Sequence, residues 1–144
     1  MKRILVLAAV LCLVAWADLR AAEGFASEDA AMAYAKKVTE DFSKEDFDAV
    51  FDAVSSQWLF NPAEIDALKG QTIKQLPIIQ GRYGKPVGIE FMKTEKGGKS
   101  LLRINYLIKH ERLALRVIFT FYKPNDKWLL IGFSWNDKID ELLE

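Results

Sequence analysis

From Pro86 to Trp135 large apolar residues fall on every second position, and three turn signals interrupt the run. Successive side chains of a strand point to opposite faces, so this period of two constrains the chain to strands with one buried face. A turn at Gly97-Gly98 would set Phe91 against Ile104, Ile89 against Tyr106 and Val87 against Ile108. A turn centred on Glu111-Arg112 would set Ile108 against Leu115, Tyr106 against Val117, Ile104 against Phe119 and Leu102 against Phe121. A third at Lys123-Pro124-Asn125-Asp126-Lys127 would set Phe121 against Leu129, Phe119 against Ile131, Val117 against Phe133 and Leu115 against Trp135. All three place bulky residues on one face, and a slip of one residue would scatter them. The expected sheet is a four-stranded antiparallel meander. Lys93 falls on its inner face in this register. The other face carries Leu107, Arg116, Ile118, Tyr122, Trp128 and Leu130, too apolar for a fully wetted surface.

The preceding residues read as three helices. Ser27 caps the first, near 28–41, with Glu28 and Asp29 in the turn where the helix dipole favours acids. Ser43 is the expected cap of the second, with Asp46 three residues on and Phe42 and Phe47 at the staple positions. In the third, Asn61 caps, Pro62 takes the first helical position, Glu64 closes the box and Phe60 staples onto Ile65. Its stripe runs through Leu68, Thr72, Leu76, Ile79 and Tyr83 to a stop at Gly84. Pro77 inside this run predicts a kink or a break. The closing segment, Asn136 to Glu144, reads as a short helix at the sheet edge. The fold class expected is therefore α+β, N-terminal helices packed on the sheet.

The first residues predict export. Lys2 and Arg3 precede an unbroken apolar run over 4–17, and Ala15-Trp16-Ala17 and Arg20-Ala21-Ala22 offer cleavage positions after Ala17 or Ala22. The run is shorter than the roughly 20 apolar residues a spanning helix needs, so no stable membrane anchor is expected after cleavage. Cys12, the single cysteine, lies inside it. The organisation read here is a signal peptide over 1–22 and one domain over 23–144, placed in the periplasm or outside the cell. Cleavage after Ala22 removes Lys2, Arg3, Arg20 and Asp18 from 20 basic and 20 acidic residues, leaving 17 and 19. A near-neutral domain without a basic run is not expected to bind nucleic acid. Without a thiol it has no disulfide and no cysteine-ligated metal.

Three helices followed by a meander of long strands resembles the nuclear-transport-factor-2-like (cystatin-like) superfamily. The stretches that carry the likeness are "SKEDFDAVFD", "GRYGKPVGIEF" and "LLRINYLIK" with "VIFTFYKPNDKWLLIGFSWND". The resemblance implies a curved sheet closing a conical pocket under the helices, a dimer through the opposite face, and, in the superfamily's enzymes, a carboxylate or histidine in the pocket.

Pocket candidates on this reading are Tyr34, Trp58, Thr72, Tyr83, Tyr106 and Trp135, and interface candidates are Leu107, Arg116, Ile118, Tyr122, Trp128 and Leu130. No Asp, Glu or His falls on the inner sheet face, and Tyr106 is the one polar group at its centre. Proton transfer next to a carbonyl needs a base as well as a hydrogen-bond donor. Thr72, Gln75 and Tyr34 on the helix side are poor bases. His110 is expected at or beside a solvated hairpin tip, with Lys109 and Arg112 around it, where a metal would find no second histidine. "KGGKS" over 96–100 lacks the first glycine of a phosphate-binding loop, since position 93 is Lys93, and leads into a strand. The expectation is an exported, non-catalytic binding or interaction module, a homodimer with a small apolar ligand or protein partner and no cofactor or metal. The alternative is an isomerase-like or hydrolase-like enzyme using the conical pocket.

Overall fold

The computed structural model describes residues 22–144. Residues 1–21 of the expected leader over 1–22, with Cys12 and the Ala17 cleavage position, lie outside the described residues. Helices α1 (Glu28–Ser43), α2 (Phe47–Gln57) and α3 (Pro62–Tyr83) precede strands β1 (Pro86–Gly97), β2 (Leu101–His110), β3 (Ala114–Tyr122) and β4 (Leu129–Asn136). A short 3-10 helix, Ile139–Leu142, follows. The strands form one antiparallel sheet in the order β1-β2-β3-β4. The chain is thus α+β, with helices first and a meander second.

The helix starts follow local chemistry, with one correction. The Ser27 hydroxyl accepts from the Ala30 N–H at 3.1 Å, and Asn61 Oδ1 accepts from the Ala63 N–H at 3.0 Å. Ser43 does not cap α2. It ends α1, its hydroxyl donating to the Glu40 carbonyl at 2.8 Å, while Asp46 caps α2 by accepting from the Ala49 N–H at 3.2 Å. A carboxylate at a helix start meets both the free N–H groups and the positive end of the dipole, so Asp46 displaces the neutral serine. Phe42 and Phe47 do meet, edge to face at 5.2 Å. Phe60, the expected staple for Ile65, is half exposed, and its ring packs on Trp58 at 5.4 Å. Pro77 does not break α3, which runs unbroken for 22 residues. Ile73, whose carbonyl loses its intrahelical donor, is exposed, so water can satisfy that oxygen.

The β2–β3 register is the one read from the sequence, Ile108 opposite Leu115 through Leu102 opposite Phe121. The other two hairpins differ by bulges. At the first, Gly97 opposes Leu101, which makes Gly98-Lys99-Ser100 the turn. Gly98 there has φ 56°, a conformation open to glycine. A bulge between Phe91 and Lys93 then sets Phe91 opposite Tyr106 and Ile89 opposite Ile108. Thr94 opposes Ile104, and Lys93 turns to the outer face, where it pairs with Asn105. In the third hairpin Phe121 opposes Leu130 and Thr120 opposes Gly132, so Ile131 is an extra residue in β4. One extra residue inverts which face its neighbours take. Leu130 and Trp128, expected outside, therefore join the core at 1% and 4% exposure, and Trp128 bridges to Phe25.

The core lies between helices and sheet. Ala31, Ala35 and Val38 of α1 and Val50, Phe51 and Val54 of α2 pack with Ile104, Val117, Phe119 and Phe133 of the strands. The outer face is closed by polar groups. Arg116 donates through Nε and Nη2 to Asn105 Oδ1 at 3.0 and 2.9 Å, and its Nη1 pairs with the Glu141 carboxylate. Asn105 Nδ2 donates to Glu95 Oε2 at 3.0 Å. The C-terminal 3-10 helix thus reaches over β3, an inner strand, rather than standing at the sheet edge.

Candidate functional site

The third helix and the end of the sheet meet at Thr72. Its hydroxyl donates to the Leu68 carbonyl at 2.8 Å, the usual back-bond of a helical threonine. The same oxygen accepts from Trp135 Nε1 at 2.9 Å. Thr72 is fully buried, so the tie is shielded from water and holds the indole edge-on against α3. One ring away, Trp135 meets Phe42 at 6.0 Å. Further along α3, Tyr83 donates its hydroxyl to Asp137 Oδ2 at 2.9 Å. Burial, and then the Asp137 hydrogen bond, push the Tyr83 hydroxyl above the usual tyrosine range. Both aromatic residues stand where the helical stripe of α3 crosses the last residues of β4.

A half-open cleft of about 380 Å³ lies at this crossing. Leu68, Ile78 and Ile79 give it apolar walls, and Tyr83 and Trp135 give it aromatic ones. Gln71, Gln75, Asn136 and Asp137 supply its polar groups. Of the six pocket candidates, Tyr83 and Trp135 line the cleft and Thr72 anchors one of them. Gln71, Asn136 and Asp137 were not singled out from sequence. The available signal was the spacing of Gln71 and Gln75, one turn apart beside the Leu68–Thr72 stripe.

The other three candidates lie elsewhere. Tyr34 donates to the Ala53 carbonyl at 3.0 Å and packs on Phe25, Phe119 and Phe121. Burial pushes its hydroxyl well above the usual range. Tyr106 is 5% exposed and lies edge-on to Phe91 at 5.6 Å. Its hydroxyl is also raised, by burial and then by the Glu40 charge. Glu40 is thus the carboxylate nearest in effect to Tyr106, and it comes from α1, not from the sheet. It pairs loosely with Lys36 at 3.8 Å and is partly exposed. Trp58 packs on Phe60, and its buried Nε1 has no protein acceptor among the described residues.

A larger cleft, about 730 Å³ and open to solvent, lies where the Glu111-Arg112 turn meets the end of α3. Three of its charged groups, Arg112, Glu111 and Glu45, are already engaged. Arg112 donates to the carbonyls of Gly81 and Arg82 at 2.9 and 3.2 Å, satisfying acceptors that a helix end leaves free. Glu111 accepts from the Lys85 N–H at 3.1 Å, and Glu45 accepts from Gln80 at 2.9 Å. The turn is a clamp on α3. His110 lies beside the tip but is not fully solvated: it is the last residue of β2, half buried, with its ring against Tyr83 at 6.0 Å.

The six interface candidates also divide. Arg116, Trp128 and Leu130 are buried within the chain. Leu107 and Ile118 are half buried and Tyr122 is exposed. Among the described residues no three His, Cys, Asp or Glu side chains are grouped to hold a metal ion. No described helix is long and apolar enough to cross a membrane. The fold and site define an α+β domain with an aromatic cleft between its third helix and its last strand. No known family, curated protein or solved structure matches the chain.

Proposed function

We propose that this chain is an exported, non-catalytic binding module whose ligand seat is the cleft between α3 and β4. The observation that carries the reading is the Thr72–Trp135 hydrogen bond, which locks a half-exposed indole into a cleft wall. Preformed apolar walls with a few placed polar groups are the usual composition of a small-ligand site. Tyr83 is held in the same way by Asp137. Catalysis is disfavoured because the lining holds one carboxylate, Asp137, and no second Asp, Glu, His or Cys to complete an acid–base pair.

The wider reading is a domain of the nuclear-transport-factor-2-like type, its helices covering a conical sheet, exported by the leader over 1–22. Three helices ahead of a four-stranded meander support it. As a homodimer it would pair through what is left of the outer face, Leu107, Ile118 and Tyr122. Light scattering of the mature chain should give twice its mass; a monomer at high concentration refutes the dimer. Native mass spectrometry of protein recovered from the periplasm should show a retained small molecule. That molecule should be lost on Trp135→Ala; retention in the variant would refute this seat.

A further inference from the structure

We infer that the cleft between α3 and β4 takes a neutral sugar ring, a pyranose, laid against Trp135. This deepens the binding-module reading and rests on it.

The first argument is charge. No lysine or arginine lines the cleft. A phosphate or carboxylate ligand would lose its hydration there with no cation in return, which is costly. Asp137 adds a negative charge at the rim, which disfavours anions further. An anionic ligand is therefore disfavoured.

The second argument is the pairing of surfaces. Trp135 turns its N–H edge to Thr72, so the ring surface left to the cleft is hydrocarbon. Ile78, 67% exposed, and Leu68 extend that surface. A pyranose has a face of C–H groups that suits it, because weakly positive C–H groups are drawn to the negative face of an indole. The lining also holds three amides, those of Gln71, Gln75 and Asn136, the last already accepting from the Lys138 N–H at 2.9 Å. An amide both donates and accepts, and so does each sugar hydroxyl. A purely apolar ligand would bury the Gln71 and Gln75 amides without partners.

The third argument is size and opening. About 380 Å³ is at the small end of ligand clefts, roughly 300–1,000 Å³, and it is half open. One ring fits inside, with its remaining hydroxyls, or further units of a chain, left in water.

The test is saturation-transfer NMR on the purified protein. The probes are glucose, galactose, N-acetylglucosamine, cellobiose and chitobiose, with cyclohexanol as a neutral apolar control. At least one sugar should receive saturation at the C–H protons of one ring face. The double variant Gln71→Ala/Gln75→Ala, at an exposed and a part-exposed position, should keep the wild-type melting temperature. It should weaken that sugar about tenfold or more, the loss expected for two hydrogen bonds. If the sugars stay silent while cyclohexanol binds and that binding is lost in Trp135→Ala, the sugar inference is overturned and the binding seat stands. If neither class binds, both are overturned. Sugar binding that the double variant leaves intact also overturns the inference.

Discussion

Replacing Arg116 with Met should destabilise the fold, and replacing Asn105 as well should restore most of the loss. Arg116 is 4% exposed and Asn105 fully buried. In Arg116→Met, Asn105 Oδ1 loses both of its donors, at 3.0 and 2.9 Å. An unsatisfied buried acceptor costs about 1–3 kcal/mol. The lost pair with Glu141 adds little, because Glu141 is half exposed and solvent screens it; about 0–1 kcal/mol is the usual range. Arg116→Met should therefore cost about 2–3 kcal/mol. Asn105→Leu alone strands guanidinium N–H groups beside an apolar neighbour and should cost about 3 kcal/mol, since charged donors suffer more. In the double variant both polar groups are gone and the site can pack as hydrocarbon, which is often nearly neutral. The double variant should then lie within about 1 kcal/mol of wild type. The assay is urea unfolding followed by tryptophan fluorescence, comparing midpoints at constant slope. Additive losses, with a coupling under about 0.5 kcal/mol, would refute the claim that these two side chains satisfy each other.

Four further outcomes are expected. Gly84 has φ 81° and ψ −163°, and an added Cβ would lie 2.6 Å from Glu111 Oε2; Gly84→Ala should cost about 3 kcal/mol by denaturant titration. Gly70, where an added Cβ would meet nothing within 4 Å, should give the opposite sign, Gly70→Ala stabilising by about 0.5–1 kcal/mol in the same titration. Burial raises the Tyr34, Tyr83 and Tyr106 hydroxyls in the folded chain. The unfolded chain releases those protons first as pH rises past about 10, so stability holds below that pH and falls above it; denaturation midpoints between pH 8 and 11 measure the fall. His110→Ala removes a half-buried ring that meets the edge of Tyr83 and the Ile108 carbonyl at 3.3 Å and should lower stability by less than about 1 kcal/mol in calorimetry.

How much of this was legible in the sequence varied by element. Helix starts at Ser27 and Asn61 could be read because a cap is a contact over two or three residues. Ser43 misled because Asp46 offered a stronger cap within the same turn. The site was legible only in part: Thr72, Tyr83 and Trp135 could be picked as polar or aromatic groups on inward stripes. Their meeting with Asp137 and Gln71 could not, since it joins α3 to the end of β4 across some 60 residues of chain.

By itself, the sequence determined the element order, the α+β class and the β2–β3 register, because periods of two and of 3.6 are local properties of the backbone. Only the tertiary structure decided the rest. The bulges at Met92 and Ile131 each put one extra residue into a strand. Each is a single-residue event that leaves no mark in a hydrophobic pattern. They turned Lys93 outward and Leu130 inward. Packing likewise buried Arg116 under the C-terminal 3-10 helix. A charged residue on a strand reads as exposed until its partners, Asn105 and Glu141, are brought to it from elsewhere in the chain.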